Sequence, residues 1–178
     1  MKALLIALLF GVAWAGPEVQ PSEVDGPWHT LVILSDTPVK IQEDGPLRGL
    51  FRHIKASQDG KSITITFYVK QNGQCHKYTV VGVQNEKGVF MTDYSGENYF
   101  QMVEQDKDIV VFYNQNVDEE GRTTRMILVA GKEQSLTEEQ QQRLEKLAQE
   151  KGIPTSTIQN VLETGRKLCP SDKGNRRN

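Results

Sequence analysis

Residues 61–70 constrain the fold more than any other stretch of the chain. Ile63, Ile65, Phe67 and Val69 alternate with Ser62, Thr64, Thr66 and Tyr68, a period of two that fits a strand with one buried face and no helix. Asn72-Gly73 follows, a dipeptide suited to the two left-handed positions of a tight hairpin turn. It hands the chain to a second run, Gln74–Gln84. Six more runs read as strands: Trp28–Ser35, Leu47–Ala56, Val89–Tyr94, Asn98–Val103, Ile109–Asn114 and Thr123–Ala130. The breaks between them carry turn chemistry, as at Asp59-Gly60, Lys87-Gly88, Ser95-Gly96, Asp106-Lys107 and Glu120-Gly121. Eight strands with short connections predict an all-β fold, an eight-stranded antiparallel up-and-down barrel. The exception is Asp36–Pro46, a longer polar link that is a candidate lid over one end.

After Ala130 the period changes. Thr137-Glu138-Glu139-Gln140 has the form of a capping box. Leu144, Leu147 and Ala148 then share one helical face opposite Gln141, Glu145 and Gln149. Gly152 and Pro154 end the segment, so one C-terminal helix is predicted over 137–151, with a short segment at Ile158–Leu162 after it. The last two strands are apolar on both faces, Val110 and Phe112 alternating with Ile109 and Val111, Met126 and Leu128 with Ile127 and Val129. Such strands need cover on two sides. The barrel interior supplies one cover, and the helix packed on the outside supplies the other.

An eight-stranded barrel either fills its interior with side chains or keeps room for one small ligand. The alternation points these residues inward: Leu47, Gly49 and Phe51 on the second run, Ile65, Phe67 and Val69 on the third, and Tyr78, Val80 and Gly82 on the fourth. Phe90, Tyr94, Asn98, Phe100 and Met102 follow, then Val110, Phe112 and Asn114, and finally Met126 and Leu128. Two glycines take almost no volume, and the amides of Asn98 and Asn114 are costly to bury without partners. That mixture predicts an apolar cavity with a few polar groups, the character of a small-molecule pocket. Asn98 and Asn114, with Tyr78 or Tyr94 as alternatives, are the candidate orienting groups.

Residues 1–15, MKALLIALLFGVAWA, carry a lysine, an apolar run and a small-x-small ending. They read as a secretory signal, too short for a span of ~20 residues. Residues 16–178 then form one domain with a polar tail after Pro170, expected outside the cell. In an oxidising compartment Cys75 and Cys169 are most simply one disulfide, free thiols being the alternative. The 21 Lys and Arg against 23 Asp and Glu give a net charge of −2, which offers no footprint for nucleic acid. No membrane insertion is expected of the domain.

The opening Gly26-Pro27-Trp28 is similar to the Gly-x-Trp of lipocalins, and Thr92-Asp93-Tyr94 to their second short motif. Ala130-Gly131-Lys132 falls where that family sets a basic residue over the tryptophan. From Gly26 to Pro170 the chain resembles lipocalins, in particular the mammalian odorant- and pheromone-binding branch. That likeness rests on Tyr94-Ser95-Gly96-Glu97-Asn98-Tyr99-Phe100, Asn116-Val117-Asp118-Glu119-Glu120-Gly121 and Glu150-Lys151-Gly152-Ile153-Pro154. The resemblance implies a calyx plugged at its base by Trp28 under Lys132, with Cys75 bonded to Cys169. It implies a secreted carrier of small hydrophobic ligands such as odorants or pheromone-like volatiles, a monomer or weak homodimer without cofactor or metal. Lys132 stands where the family more often has arginine. Thr79 lies near where some odorant-binding members have a further cysteine.

Two other classes compete. A secreted interaction module, an inhibitor or a receptor-read signal, would use the loops at the open end. An isomerase of lipocalin type would need a free cavity cysteine, whereas Cys75 is expected to be bonded. His29, His53 and His76 are scattered, with no His-x-His or Glu-x-x-His spacing, and no nucleophile sits beside a base. The sequence therefore points away from an enzyme.

Overall fold

The computed structural model describes residues 19–162 and 169. The expected signal at 1–15 and the polar tail after Pro170 lie outside the described residues. A short helix, α1 (Pro21–Val24), leads into β1 (Gly26–Pro27) and β2 (His29–Ser35). Next come β3 (Leu50–Ala56), β4 (Ser62–Gln71), β5 (Gln74–Gln84) and β6 (Phe90–Asp93). They are followed by β7 (Glu97–Gln105), β8 (Ile109–Val117), β9 (Thr123–Gly131), α2 (Glu138–Glu150) and β10 (Gln159–Asn160). The sheet order is β1-β3-β4-β5-β6-β7-β8-β9-β2-β10, and the paired neighbours run antiparallel.

That order describes a closed ring. β1 lies on β3, with Gly26 opposite Ile54, while β2 lies on β9, from His29 opposite Gly131 to Ser35 opposite Met126. Only Trp28 separates β1 from β2, so one stretch of chain joins both edges of the meander. Thr30 rivets the closure: its hydroxyl donates to the Gly49 carbonyl (2.7 Å) and accepts from the Phe51 N–H (2.8 Å). The barrel thus has the eight expected strands, the first beginning at His29 rather than Trp28, with a two-residue strand before Trp28 that was not expected. A further short strand, β10, was not expected as such; it pairs with β2, Gln159 opposite Ile33. The second run begins at Leu50 rather than Leu47, because the Leu47 N–H bonds the Lys40 carbonyl of the lid (2.9 Å) instead of a strand.

Local chemistry sets the joints. Asn72 and Gly73 both take positive φ, 50° and 77°, which joins β4 to β5 without splaying the strands. At α2 the Thr137 hydroxyl accepts from the Gln140 N–H (3.1 Å), and the Gln140 side chain accepts from the Thr137 N–H (2.9 Å). The helix lays Leu144 and Ala148 on the outer face of β2, β8 and β9, forming a second core with Leu34, Ile109, Val111, Ile127 and Val129. Those strands are apolar on both faces for this reason. Among the described residues no helix is long and apolar enough to cross a membrane.

At the base, Trp28 is fully buried. Its indole N–H donates to the Val24 carbonyl (2.7 Å), and Lys132 Nζ lies 4.5 Å from its ring centroid. Cys75 on β5 is bonded to Cys169, tying the C-terminal segment to the wall, and Arg52 donates to the Cys169 carbonyl. The end of the barrel opposite Trp28 is crossed by residues 36–49. Ile41 of that segment is fully buried. Asp36 pairs with Arg125 (2.9 Å), Lys40 with Asp118 (3.4 Å), and the buried Arg48 donates to the Ile41 carbonyl (2.9 Å).

Candidate ligand-binding cavity

Under residues 36–49 the barrel holds an apolar cavity of about 90 Å³. Leu47 and Gly49 enter from the end of that segment and Phe51 from β3. Ile65 and Phe67 come from β4 and Val80 from β5. Tyr94, Asn98 and Phe100 follow, with Phe112 and Asn114 from β8, and Met126 and Leu128 from β9. The period of two carries each of these side chains to the inner face. The rings interlock: Phe51 meets Phe112 edge-on at 5.5 Å, and Phe112 meets Phe100 at 6.1 Å.

Six residues expected at the cavity lie elsewhere. Phe90, Met102 and Val110 face inward but are packed solid in the main core, and Phe90 stacks on Phe100 at 5.4 Å. Val69 is fully buried in the same core, and Tyr78 packs against it from a partly exposed position. Gly82 does not open a void. A Cβ there would fall 2.6 Å from Phe100 Cζ, so the missing side chain makes room for that ring. In the other direction, Thr92 lines the cavity and was not expected. The signal was present, since it sits two residues from both Phe90 and Tyr94.

The polar groups separate sharply. Asn98 donates to the Tyr94 carbonyl (2.6 Å), and its Oδ1 accepts from both Asn114 and Asn116 (3.1 Å each). Asn116, also buried, donates to the Ser95 carbonyl (3.1 Å). This network fastens the β6–β7 tip to β8 and leaves Asn98 Oδ1 committed. The Tyr94 hydroxyl donates to the Pro46 carbonyl (2.6 Å). Burial, with Tyr78 nearby, pushes the Tyr94 pKa up, so the hydroxyl keeps its proton and its bond to the lid. One acceptor is left over: Asn114 Oδ1 is buried without a hydrogen-bond partner. Among the described residues no three His, Cys, Asp or Glu side chains are grouped to hold a metal.

The fold and cavity together define a calyx: a closed antiparallel barrel with an apolar hollow under a lid. The chain belongs to the lipocalin / cytosolic fatty-acid binding protein family, whose profile matches residues 25–165. It is 43% identical over 167 residues to a female-specific lacrimal gland protein of Mesocricetus auratus, covering 92% of this chain and 96% of that one. It is also 43% identical to an odorant-binding protein of Rattus norvegicus, with the same coverage of both chains. The crystal structure of aphrodisin, a sex pheromone from female hamster, superposes with a TM-score of 0.81 at 43% identity, over 84% of this chain and 100% of that one.

Proposed function

We propose that the protein is a secreted, non-enzymatic carrier of small volatile hydrophobic molecules, and that its preferred ligands are those bearing a hydroxyl. The carrying observation is Asn114 Oδ1, a buried acceptor without a hydrogen-bond partner on a residue that lines a largely apolar cavity. A buried unpaired polar atom costs roughly 1–3 kcal/mol. A ligand O–H removes that cost, whereas a carbonyl oxygen has no donor to offer it. The names of the relatives support the class, and the signal-like residues 1–15 support export.

Size follows from the hollow. A dry cavity of roughly 150 Å³ lined by aliphatic and aromatic groups admits benzene. About 90 Å³ is smaller than that and suits a short chain, and Met126 can yield to more. A ligand burying about 300 Å² of apolar surface gains roughly 7 kcal/mol, less the cost of immobilising it, so Kd is about 10 μM or weaker.

The test is calorimetric titration with 1-pentanol and with pentane, in the wild type and in Asn114→Leu. The wild type prefers the alcohol, and Asn114→Leu lowers that preference by about fivefold, near 1 kcal/mol. Asn98 keeps its bond from Asn116, so the tip stays in place. An unchanged preference would remove Asn114 from the site. Failure of the wild type to bind the alcohol saturably would favour the interaction-module reading.

A further inference from the structure

The barrel wall is not equally tall all round. β4 and β5 are joined by ten residue pairs up to Gln71 opposite Gln74, but β5 and β6 by only two, Val83 with Met91 and Gln84 with Phe90. Above Val83, β5 continues to Gln74, about 30 Å at ~3.3 Å per residue. β6 stops at Asp93, and the chain turns back at Ser95-Gly96 into β7. The difference leaves a notch in the wall.

Two rings fill it. Tyr78 of β5 and Tyr94, just beyond β6, meet edge to face at 5.0 Å. Phe67 stacks on Tyr78 at 5.6 Å and meets Tyr94 at 5.0 Å. Both tyrosines are partly exposed, and Phe67, Val80 and Tyr94 line the cavity. At the notch, then, partly exposed tyrosines adjoin side chains that line the cavity.

The two sides of the notch are held differently. The β6–β7 tip is fixed by the Asn98 and Asn116 amides. A Cβ on Gly96 would fall 2.2 Å from the Val117 carbonyl oxygen, so the tip is pressed against β8. Tyr94 is held by its bond to Pro46. The Tyr78 hydroxyl reaches only across its own hairpin, to Gln71 Oε1 (3.2 Å). Its ring can swing without breaking a bond to the lid or to the asparagine network, and it does so on a strand that β6 does not support at that height. The mouth is held by the pairs Asp36–Arg125 and Lys40–Asp118 and by the Tyr94–Pro46 bond.

We propose that ligands enter and leave sideways, through the notch between β5 and β6, with the Tyr78 ring as the moving gate. This rests on the carrier reading above. NMR line-shape analysis of 1-pentanol exchanging with the protein tests it, giving the dissociation rate constant beside Kd and hence the association rate constant. Tyr78→Ala is expected to raise the association and dissociation rate constants at least fivefold each while Kd stays within twofold, because Tyr78 does not line the cavity. Tyr78→Trp, a larger plug, lowers both rates and decides the matter if the alanine variant does not fold. Lys40→Ala, which unties the lid from Asp118, leaves both rates within twofold. Rates insensitive to Tyr78, or raised by Lys40→Ala instead, overturn lateral entry and move the route to the mouth while the carrier reading stands. Absence of saturable binding in the wild type overturns both.

Discussion

Replacing Gly82 by alanine should shorten the cavity from behind its wall. Gly82 lies opposite Ile63 of β4. An added Cβ would sit 2.6 Å from Phe100 Cζ, 3.0 Å from Cε1 and 3.3 Å from Ile63 Cγ2. Carbon atoms pack at roughly 3.5–4.0 Å, so the Phe100 ring must retreat by about 1 Å. Phe90 stacks on that ring at 5.4 Å, and the hollow of about 90 Å³ that Phe100 lines is the space into which it can move. Overpacking of this kind costs ~1–3 kcal/mol, offset in part by the ~0.5–1 kcal/mol gained when glycine leaves a strand. Shortening the hollow by about one methylene removes ~0.8 kcal/mol, roughly fourfold in Kd, from the longest ligand that fits. Shorter ligands keep their affinity. Calorimetric titrations with straight-chain alcohols, beside urea unfolding followed by Trp28 fluorescence, read both effects. The preferred chain length should fall by one or two carbons. If it does not move, Phe100 is not the wall that Gly82 accommodates, and the reasoning fails.

Removing the disulfide with Cys75→Ser and Cys169→Ser, which opens a closure spanning 94 residues, should cost ~2–5 kcal/mol in urea unfolding; a loss under about 1 kcal/mol would deny it a stabilising role. The Asp118 carboxyl is held below its ordinary pKa, chiefly by the Arg122 N–H, with the Glu120 N–H and Lys40 adding to it. Its stabilisation is complete above the unfolded value near ~3.9 and is lost as pH falls through the lower folded value. Asp118→Asn should therefore lower the urea midpoint at pH 7 and match the wild type at about pH 2; a gap of equal size at both would show that the charge is not what matters.

The ring of strands was legible because each half-buried run repeats with a period of two, and because Asn72-Gly73 leaves little choice of turn. The helix was legible from Thr137 to Gly152, and its seat from the doubled apolar faces of β8 and β9. What stayed hidden is set by contacts between distant residues. Alternation says that Gly82 points inward, but not that Phe100 already occupies the space before it. It also marks Asn98 and Asn114 as equals. Only the third amide, Asn116, separates them by joining Asn114 in occupying Asn98 Oδ1 and leaving Asn114 Oδ1 over. The lid was recognisable by its length and polarity, yet nothing local announces that Tyr94 bonds Pro46. The two-residue strand before Trp28 and the short β10 escaped for the same reason: each depends on which neighbour a backbone finds.

The pairing of β2 with β9 has a consequence for how the molecule is made. Residues 29–35 find their partner only at 126–131, so a chain emerging from the ribosome must carry Leu31-Val32-Ile33-Leu34 through about a hundred residues of synthesis before that partner exists. Contacts of such long sequence separation form slowly, and an uncharged apolar segment with β-branched Val32 and Ile33 at its centre, left waiting, is a template for intermolecular strands. Biogenesis of this protein is thus most vulnerable at its first strand, and the last barrel strand to be synthesised is the one that ends the exposure.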